Sequence, residues 1–309
     1  MDNMLSVYFS SDRTYISVVG RSAKGLELKF VDATDSAVDL ETPEDLDDMI
    51  AADEVREILG NLDYNFSRVS VTLPADSVLV TKIPSSKDMK FEEIKKLVEL
   101  EIRNAYPQFN YEDFIPSVLK FEPKLDGKIV MLATIISKIN FISCRDILKV
   151  VRTPISNIEI SQLNAHNCFL YNYPEHKRDV VAILGVGRQF IDISVIVAGK
   201  PIYYNLIAYK DKEEIGDLCV QEFENITNKY VSKIDAAYFF GEYLDIDMLV
   251  IAQSLLMMTV PKVAKLNAFR MFETKMNNRL RDYCSRTAHI FPPCVGGNLP
   301  SYHQKIKMF

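Results

Sequence analysis

Residues 180–207 read VVAILGVGRQFIDISVIVAGKPIYYNLI. Three apolar, β-branched runs, Val180–Gly185, Ile191–Val197 and Pro201–Ile207, are parted by a turn at Gly187 and another at Ala198-Gly199-Lys200. This is the pattern of three consecutive antiparallel strands. A helix follows from about Lys212 to Tyr230, with Ile215, Leu218, Cys219, Phe223, Ile226 and Tyr230 on one face. A buried-type strand, Ala236–Phe240, and a helix, Asp245–Met257, come next. The N-terminus opens in the same way. Leu5–Phe9, a tight turn at Ser10–Arg13, Tyr15–Val19 and Leu26–Val31 read as strands, with a helix predicted from about Pro43 to Leu59 and a further strand at Val69–Leu73. Hairpins precede helices twice, and the second set begins near residue 178, beyond a boundary at Pro174–Lys177. Such a repeat predicts a duplicated α/β domain.

Between the two sets lies a strand at Val78–Ile83 and a helix at Met89–Ala105 with Asp88 as its cap. A hairpin, Ser117–Phe121 with Lys128–Ile136, turns at Asp126-Gly127. Asn140 is a candidate cap for a helix to Val151, and Gln162–Tyr171 reads as another helix. Asn267 is a candidate cap for a long final helix striped by Phe269, Phe272, Met276, Leu280 and Tyr283.

The chain has 309 residues, 48% hydrophobic and 25% charged, with a net charge of −6. That is an ordinary globular balance, long enough for two domains. It lacks the basic footprint of a nucleic-acid binder. Between Asp32 and Glu57, eleven acidic residues face one basic residue, Arg56. A solvated acidic surface explains this window, since no calcium-loop spacing is present. The five cysteines include no C-x-x-C pair and most sit among apolar neighbours, as buried thiols of a reducing cytoplasm do. The N-terminus lacks a signal-peptide pattern, and no run approaches the ~18 apolar residues of a spanning helix. Direct membrane insertion is therefore not expected.

Familiar catalytic motifs fail. Gly185-x-Gly187 follows a strand but precedes another strand, so no helix N-terminus stands ready for a pyrophosphate. Gly199-Lys200 is followed by Pro201 instead of a hydroxyl residue, which excludes a P-loop. The four histidines, His166, His176, His289 and His303, lack metal-ligand spacing. No nucleophile, base and orienting group assemble, so no catalytic residue is assigned.

The stretch Leu73-Pro74 … Val80-Thr81-Lys82-Ile83-Pro84 … Phe91-Glu92-Glu93-Ile94 … Glu101 … Tyr106-Pro107 resembles the actin-like family of the type IV pilus assembly protein PilM, with the cell-division protein FtsA a more distant cousin. In that family an Ile-Pro step leads into an acidic amphipathic helix and a second Pro. Pro84, Glu101 and Pro107 match those positions, and Tyr111-Glu112-Asp113 matches an acidic patch. Ile129–Ser137 resembles the family's apolar strand before a helix, Ala182–Lys200 its second phosphate-loop hairpin, and Ala236–Gly241 the strand before its adenosine-binding Gly-Gly.

The resemblance implies an actin-like (ribonuclease H-like) fold of duplicated α/β domains. The implied divisions are a first core domain over 1–83, an inserted subdomain over 84–152, a return over 153–177, a second core domain over 178–260 with a reduced outer lobe, and a C-terminal return over 261–309. It implies a cytoplasmic scaffold, peripheral to the inner membrane, that binds the cytoplasmic tail of a PilN-like single-pass membrane protein and has no nucleic-acid partner. It also implies nucleotide loops, and these depart from the pattern. Ser10, Ser11 and Asp12 stand where relatives carry Asp-x-Gly, and Ser17 stands where they carry Lys. Gly185 replaces the Asp of the second loop although Gly187 remains, and Gly241-Glu242 replaces Gly-Gly. Losing a loop Asp removes an anchor for Mg²⁺, and Glu242 adds bulk and like charge where backbone should approach a nucleotide. The expectation is a pseudo-ATPase with no required cofactor, ATP and Mg²⁺ being the family's. The alternatives are an active ATP-binding protein of the same fold and an unrelated two-domain α/β protein.

Overall fold

The computed structural model describes residues 2–23, 25–42, 45, 49–86, 88–121, 129–303 and 305–308. The chain divides into two units. The first comprises Met1–Val78, Ile136–Asn172 and Asn267–Pro300, and the second Leu79–Ile135, Tyr173–Leu266 and Ser301–Phe309.

In the first unit, β1 (Asn3–Phe9), β2 (Thr14–Arg21) and β3 (Leu26–Ala33) form an antiparallel meander. β4 (Phe66–Leu73) then pairs parallel to β1, and β8 (Ile155–Ile160) parallel to β4. A parallel return needs a crossover, and α1 (Ile50–Gly60) supplies the one from β3 to β4. A short strand, β14 (Glu273–Thr274), extends the sheet beyond β3, so the order is β14-β3-β2-β1-β4-β8. The apolar runs are nearly continuous because the sheet is buried on both faces. α4 (Ser161–Asn172) is buried along most of its length, and α8 (Pro292–Gly297) crosses it at Gly296. A Cβ on Gly296 would fall 1.8 Å from the Asn164 carbonyl oxygen, so only glycine permits that approach. Arg68 of β4 donates to the carbonyls of Gly297, Asn298 and Leu299, placing a cation at the C-terminal end of α8.

The second unit repeats the pattern. β9 (Val180–Val186), β10 (Phe190–Val197) and β11 (Lys200–Ala208) form the meander, β12 (Ala236–Phe240) runs parallel to β9, and β13 (Val263–Lys265) parallel to β12. The order β11-β10-β9-β12-β13 matches β3-β2-β1-β4-β8 strand for strand. This is the duplication read from the two hairpins. α5 (Glu214–Lys229) is the single helix between β11 and β12, and α6 (Ile246–Leu256) connects β12 to β13. Both pack on a core that includes Ala182, Leu184, Ile193, Phe223 and Phe239. The same unit holds a second sheet, formed by β5 (Leu79–Ser85), β6 (Phe114–Lys120), β7 (Ile129–Ser137) and β15 (Lys305–Lys307) in the order β15-β6-β7-β5. α2 (Phe91–Ala105) buries Ile94, Val98 and Ile102 against it. No described helix is long and apolar enough to cross a membrane.

Several boundaries differ from the sequence reading. The inserted sheet begins at Leu79 instead of Pro84, and the segment 136–152, with α3 (Lys138–Ile147), belongs to the first unit. Ser137 caps α3 by accepting from Ile139 N–H at 3.1 Å. Asn140 instead lies inside that helix and reaches the Ser77 carbonyl at 3.4 Å. Residues 267–300 return to the first unit, but 301–308 leave it, because β15 pairs antiparallel with β6. The expected long final helix is α7 (Asn278–Thr287) alone. Asn267 accepts from the amide of Phe269, two residues on, and so makes a turn, while Asn277 caps α7 through Leu280 N–H at 3.0 Å. Phe269, Phe272, Leu280 and Tyr283 still pack against one core. α2 starts at Phe91, with Glu93 accepting the Lys90 N–H at 2.8 Å, instead of at an Asp88 cap. Pro43 and the Asp126-Gly127 turn lie outside the described residues.

Candidate functional site

In open parallel sheets, ligands bind at the carboxyl ends of the strands where the order reverses. In each unit that place is the end of the first strand of the meander, beside the strand parallel to it. The sequence-derived loop residues fall there, with one exception.

In the first unit, Ser10–Arg13 joins β1 to β2. The Ser10 amide and hydroxyl both donate to the Arg13 carbonyl at 2.9 Å, and the amides of Asp12 and Arg13 donate back to Ser10 Oγ at 3.4 and 3.3 Å. The hydroxyl that stands for the loop carboxylate thus closes its own turn. The neighbouring strand, β4, ends at Pro74, and a single 3₁₀ turn, Ala75–Ser77, carries Asp76. Surrounding protein raises the pKa of Asp76, opposed by hydrogen bonds from its own backbone, from that of Ser77 and from the Ser11 hydroxyl. Asp76 was legible only as a loop residue between two apolar runs.

Ser17 is the exception. It lies in the middle of β2, fully buried on the face covered by α8. Its hydroxyl accepts from Asn298 Nδ2 at 2.8 Å and from the Cys294 thiol at 3.2 Å. At the position matched to a Lys of relatives, this chain has a core contact.

In the second unit, Gly185, Gly187, Gly241 and Glu242 come together at the ends of β9 and β12. Gly185 pairs with Asp192 on one side and Phe240 on the other. The Gly187 amide donates to the Phe190 carbonyl at 2.9 Å, and its carbonyl accepts from the buried Tyr209 hydroxyl at 2.5 Å. Gly241 has φ +122, and a Cβ there would meet the Val186 carbonyl oxygen at 2.3 Å and its nitrogen at 2.9 Å. Its glycine is required by the contact between the two strand ends. Glu242 follows it, half-buried.

A carboxylate does stand beside Gly185. Asp192 is directly opposite in the antiparallel ladder, so its side chain leaves the sheet on the face where a residue at 185 would point. It is buried, and its Oδ1 accepts from the Tyr204 hydroxyl at 2.5 Å. Counting outward from the Gly187 turn would have found this pairing. Among the described residues no group of three or more His, Cys, Asp or Glu side chains is arranged to hold a metal ion.

The inserted-sheet positions do not come together at either loop cluster. Glu101 on α2 accepts from the Thr81 hydroxyl of β5 at 3.1 Å. Pro84 lies in β5, the edge strand, where a missing N–H is tolerated. Pro107 is exposed just beyond the Tyr106 that ends α2. All five cysteines are buried free thiols, and burial pushes Cys219 and Cys294 up to about 12.

The two sheets of matching order, β3-β2-β1-β4-β8 and β11-β10-β9-β12-β13, define an actin-like fold. The chain is similar to a structure described as the PilM-PilN type IV pilus biogenesis complex, with a TM-score of 0.73 and 13% identity over 96% of this chain and 97% of that one. It is also similar to a Bacteroides thetaiotaomicron protein with an actin-like ATPase fold and unknown function, with a TM-score of 0.52 and 13% identity over 92% and 96% of the two chains. The ethanolamine utilization protein EutJ from Carboxydothermus hydrogenoformans aligns at a TM-score of 0.50 and 10% identity over 97% and 90%. No protein-family model and no curated protein matches the sequence.

Proposed function

We propose that this protein is a non-catalytic actin-like scaffold of a type IV pilus or related secretion or motility machine. In this reading it is cytoplasmic and is held at the inner membrane by the cytoplasmic tail of a bitopic, PilN-like protein. The observation that carries the reading is Gly185 at the end of β9, within the fold of the PilM-PilN structure. The position that should present a carboxylate to Mg²⁺ presents none, and the Gly187 main chain is already committed to Phe190 and Tyr209. Ser10 closing its own turn and Ser17 buried under α8 support the same conclusion. These residues do not fit Mg-ATP as the family holds it. A scaffold needs surfaces only, and an extended tail binds through main-chain hydrogen bonds and side-chain pockets without chemistry from its host.

One observation favours an active ATP-binding protein: Asp192 stands opposite Gly185 in the ladder, on the same face of the sheet. Its hydrogen bond to Tyr204 opposes that role, because the carboxylate is already occupied in a buried pair. The test is turnover of Mg-ATP by the purified chain. Background release of phosphate is expected. Turnover that disappears in Asp192→Asn would replace the scaffold with an ATPase.

A further inference from the structure

A cleft of about 380 Å³ lies in the first unit, beside α7. One wall is formed by Arg281, Cys284 and Ser285 of α7 and by Ala288 just after it. These positions share one helix face. The other wall is the segment that leads through β14 to Met276, with Phe269, Phe272 and Met276 as its apolar surface. Its rings are held in place. Phe272 packs on Tyr171 and Phe269 on Phe291, with ring centroids 4.9 and 5.5 Å apart. Asn172 fixes the same segment, since its side-chain oxygen accepts from the Met271 amide at 2.9 Å and its carbonyl from Arg270 Nη1 at 3.1 Å.

The charge of the lining is one-sided. Arg270 and Arg281 both line the cleft and are exposed, and none of the described lining residues is acidic. Among the described residues Arg281 forms no ion pair, and its Nη2 donates to the Thr274 carbonyl at 3.4 Å. Carboxylates of the adjoining strands are engaged elsewhere, Glu273 by the Ser22 hydroxyl at 2.8 Å and Glu27 by Lys275 at 3.3 Å. On the α7 wall, the exposed Ser285 hydroxyl makes no hydrogen bond among the described residues.

We infer that this cleft binds a small organic oxyanion, a carboxylate or a phosphate ester, whose apolar body lies on Phe269, Phe272 and Met276 while its oxygens meet Arg281 and Arg270. Aromatic and thioether surface takes up an apolar body, and a guanidinium fork matches an oxyanion with two parallel N–H donors. A concave, mostly apolar cleft of a few hundred Å³ with a few polar groups at fixed places is the form of a small-molecule site. The cleft shares no residue with the loops at Ser10–Arg13 or Gly185–Glu242, so the inference goes beyond the scaffold reading and is tested apart from it.

The test is calorimetric titration of the intact chain with 2-naphthoate, 2-naphthyl phosphate, neutral 2-naphthamide and inorganic phosphate. Saturable binding of naphthoate or naphthyl phosphate is expected, and the tighter of the two names the oxyanion. Naphthamide and inorganic phosphate should bind at least about tenfold more weakly, because each lacks half of the recognition. Arg281→Gln should weaken the aromatic anions by about tenfold or more and leave naphthamide unchanged. Its melting temperature should stay at the wild-type value, since Arg281 is exposed. In spectra of the ¹³C-methyl methionines, the bound ring should shift Met276, assigned through Met276→Leu, and leave Met248 of the second unit in place. Naphthamide binding as tightly as naphthoate, unchanged affinity in Arg281→Gln, or shifts that spare Met276 would each overturn the proposal. So would the absence of binding by any probe at millimolar concentration.

Discussion

Gly241 and Val186 meet main chain to main chain, and a Cβ on Gly241 would lie 2.3 Å from the Val186 carbonyl oxygen. The contact locks the end of β12 to the end of β9, two of the places where an actin-like protein would build its nucleotide site. Gly241→Ala combines a φ of +122 with this clash. It should cost more than about 2 kcal/mol in urea unfolding. A variant as stable as the wild type would show that the two strand ends are not in contact.

Gly296 and Gly60 form a second comparison. A Cβ on Gly296 meets the Asn164 main chain at 1.8 Å, while nothing lies within 4 Å of one on Gly60. Gly296→Ala should give little folded protein, and Gly60→Ala should be neutral or slightly stabilising, by up to about 1 kcal/mol. Yields and melting curves of the pair decide this, and similar behaviour of the two would contradict the α4–α8 crossing.

Ser17→Lys restores the family's residue type at its sequence position. Because Ser17 is buried against Asn298 and Cys294, the substitution should destabilise the chain by at least about 3 kcal/mol without creating ATP affinity. A stable variant that gains Mg-ATP binding in calorimetry would mean that position 17 opens onto a nucleotide site.

His303 lies buried just before β15, and burial, with Lys305 adding to it, lowers its pKa from 6.5 to about 4. The folded state holds it neutral, while the unfolded chain protonates near 6.5. Its contribution to stability is therefore complete above pH 6.5 and is lost as pH falls toward 4, by up to about 3 kcal/mol. Urea midpoints measured from pH 7 to 4 should fall less steeply in His303→Leu than in the wild type. Parallel curves would remove His303 from the acid response.

Much of the fold was legible because its signals are local. The hairpin at 180–207 carries its strands, its turns and its register in one stretch, and β1 to β3 repeat it. Asp245 as the cap of α6 was equally local, since the side chain accepts from Met248 three residues on. What stayed hidden depends on partners far along the chain. β15 is three residues whose strand character comes from β6, nearly 190 positions earlier. β14 exists because it lies beside β3, so Phe269 and Phe272 joined the apolar stripe of a helix that the chain never forms. At the site, glycine and serine positions could be matched by order, but not their use. Ser17 could be matched to a Lys of relatives, but not its burial under α8. Asp76 and Asp192 lacked any motif and became candidates only through strand neighbours.

As a scaffold, the chain would hold a membrane protein's tail without nucleotide chemistry. The most direct measurement is fluorescence anisotropy of a labelled peptide with the sequence of the cytoplasmic tail of a PilN-like bitopic protein from the same genome, titrated with the intact chain with and without Mg-ATP. Ordering a tail consumes free energy, so the account predicts saturable binding at roughly micromolar Kd, unchanged by Mg-ATP. No binding at concentrations on the order of a hundredfold higher, or binding that appears only with Mg-ATP, would contradict it.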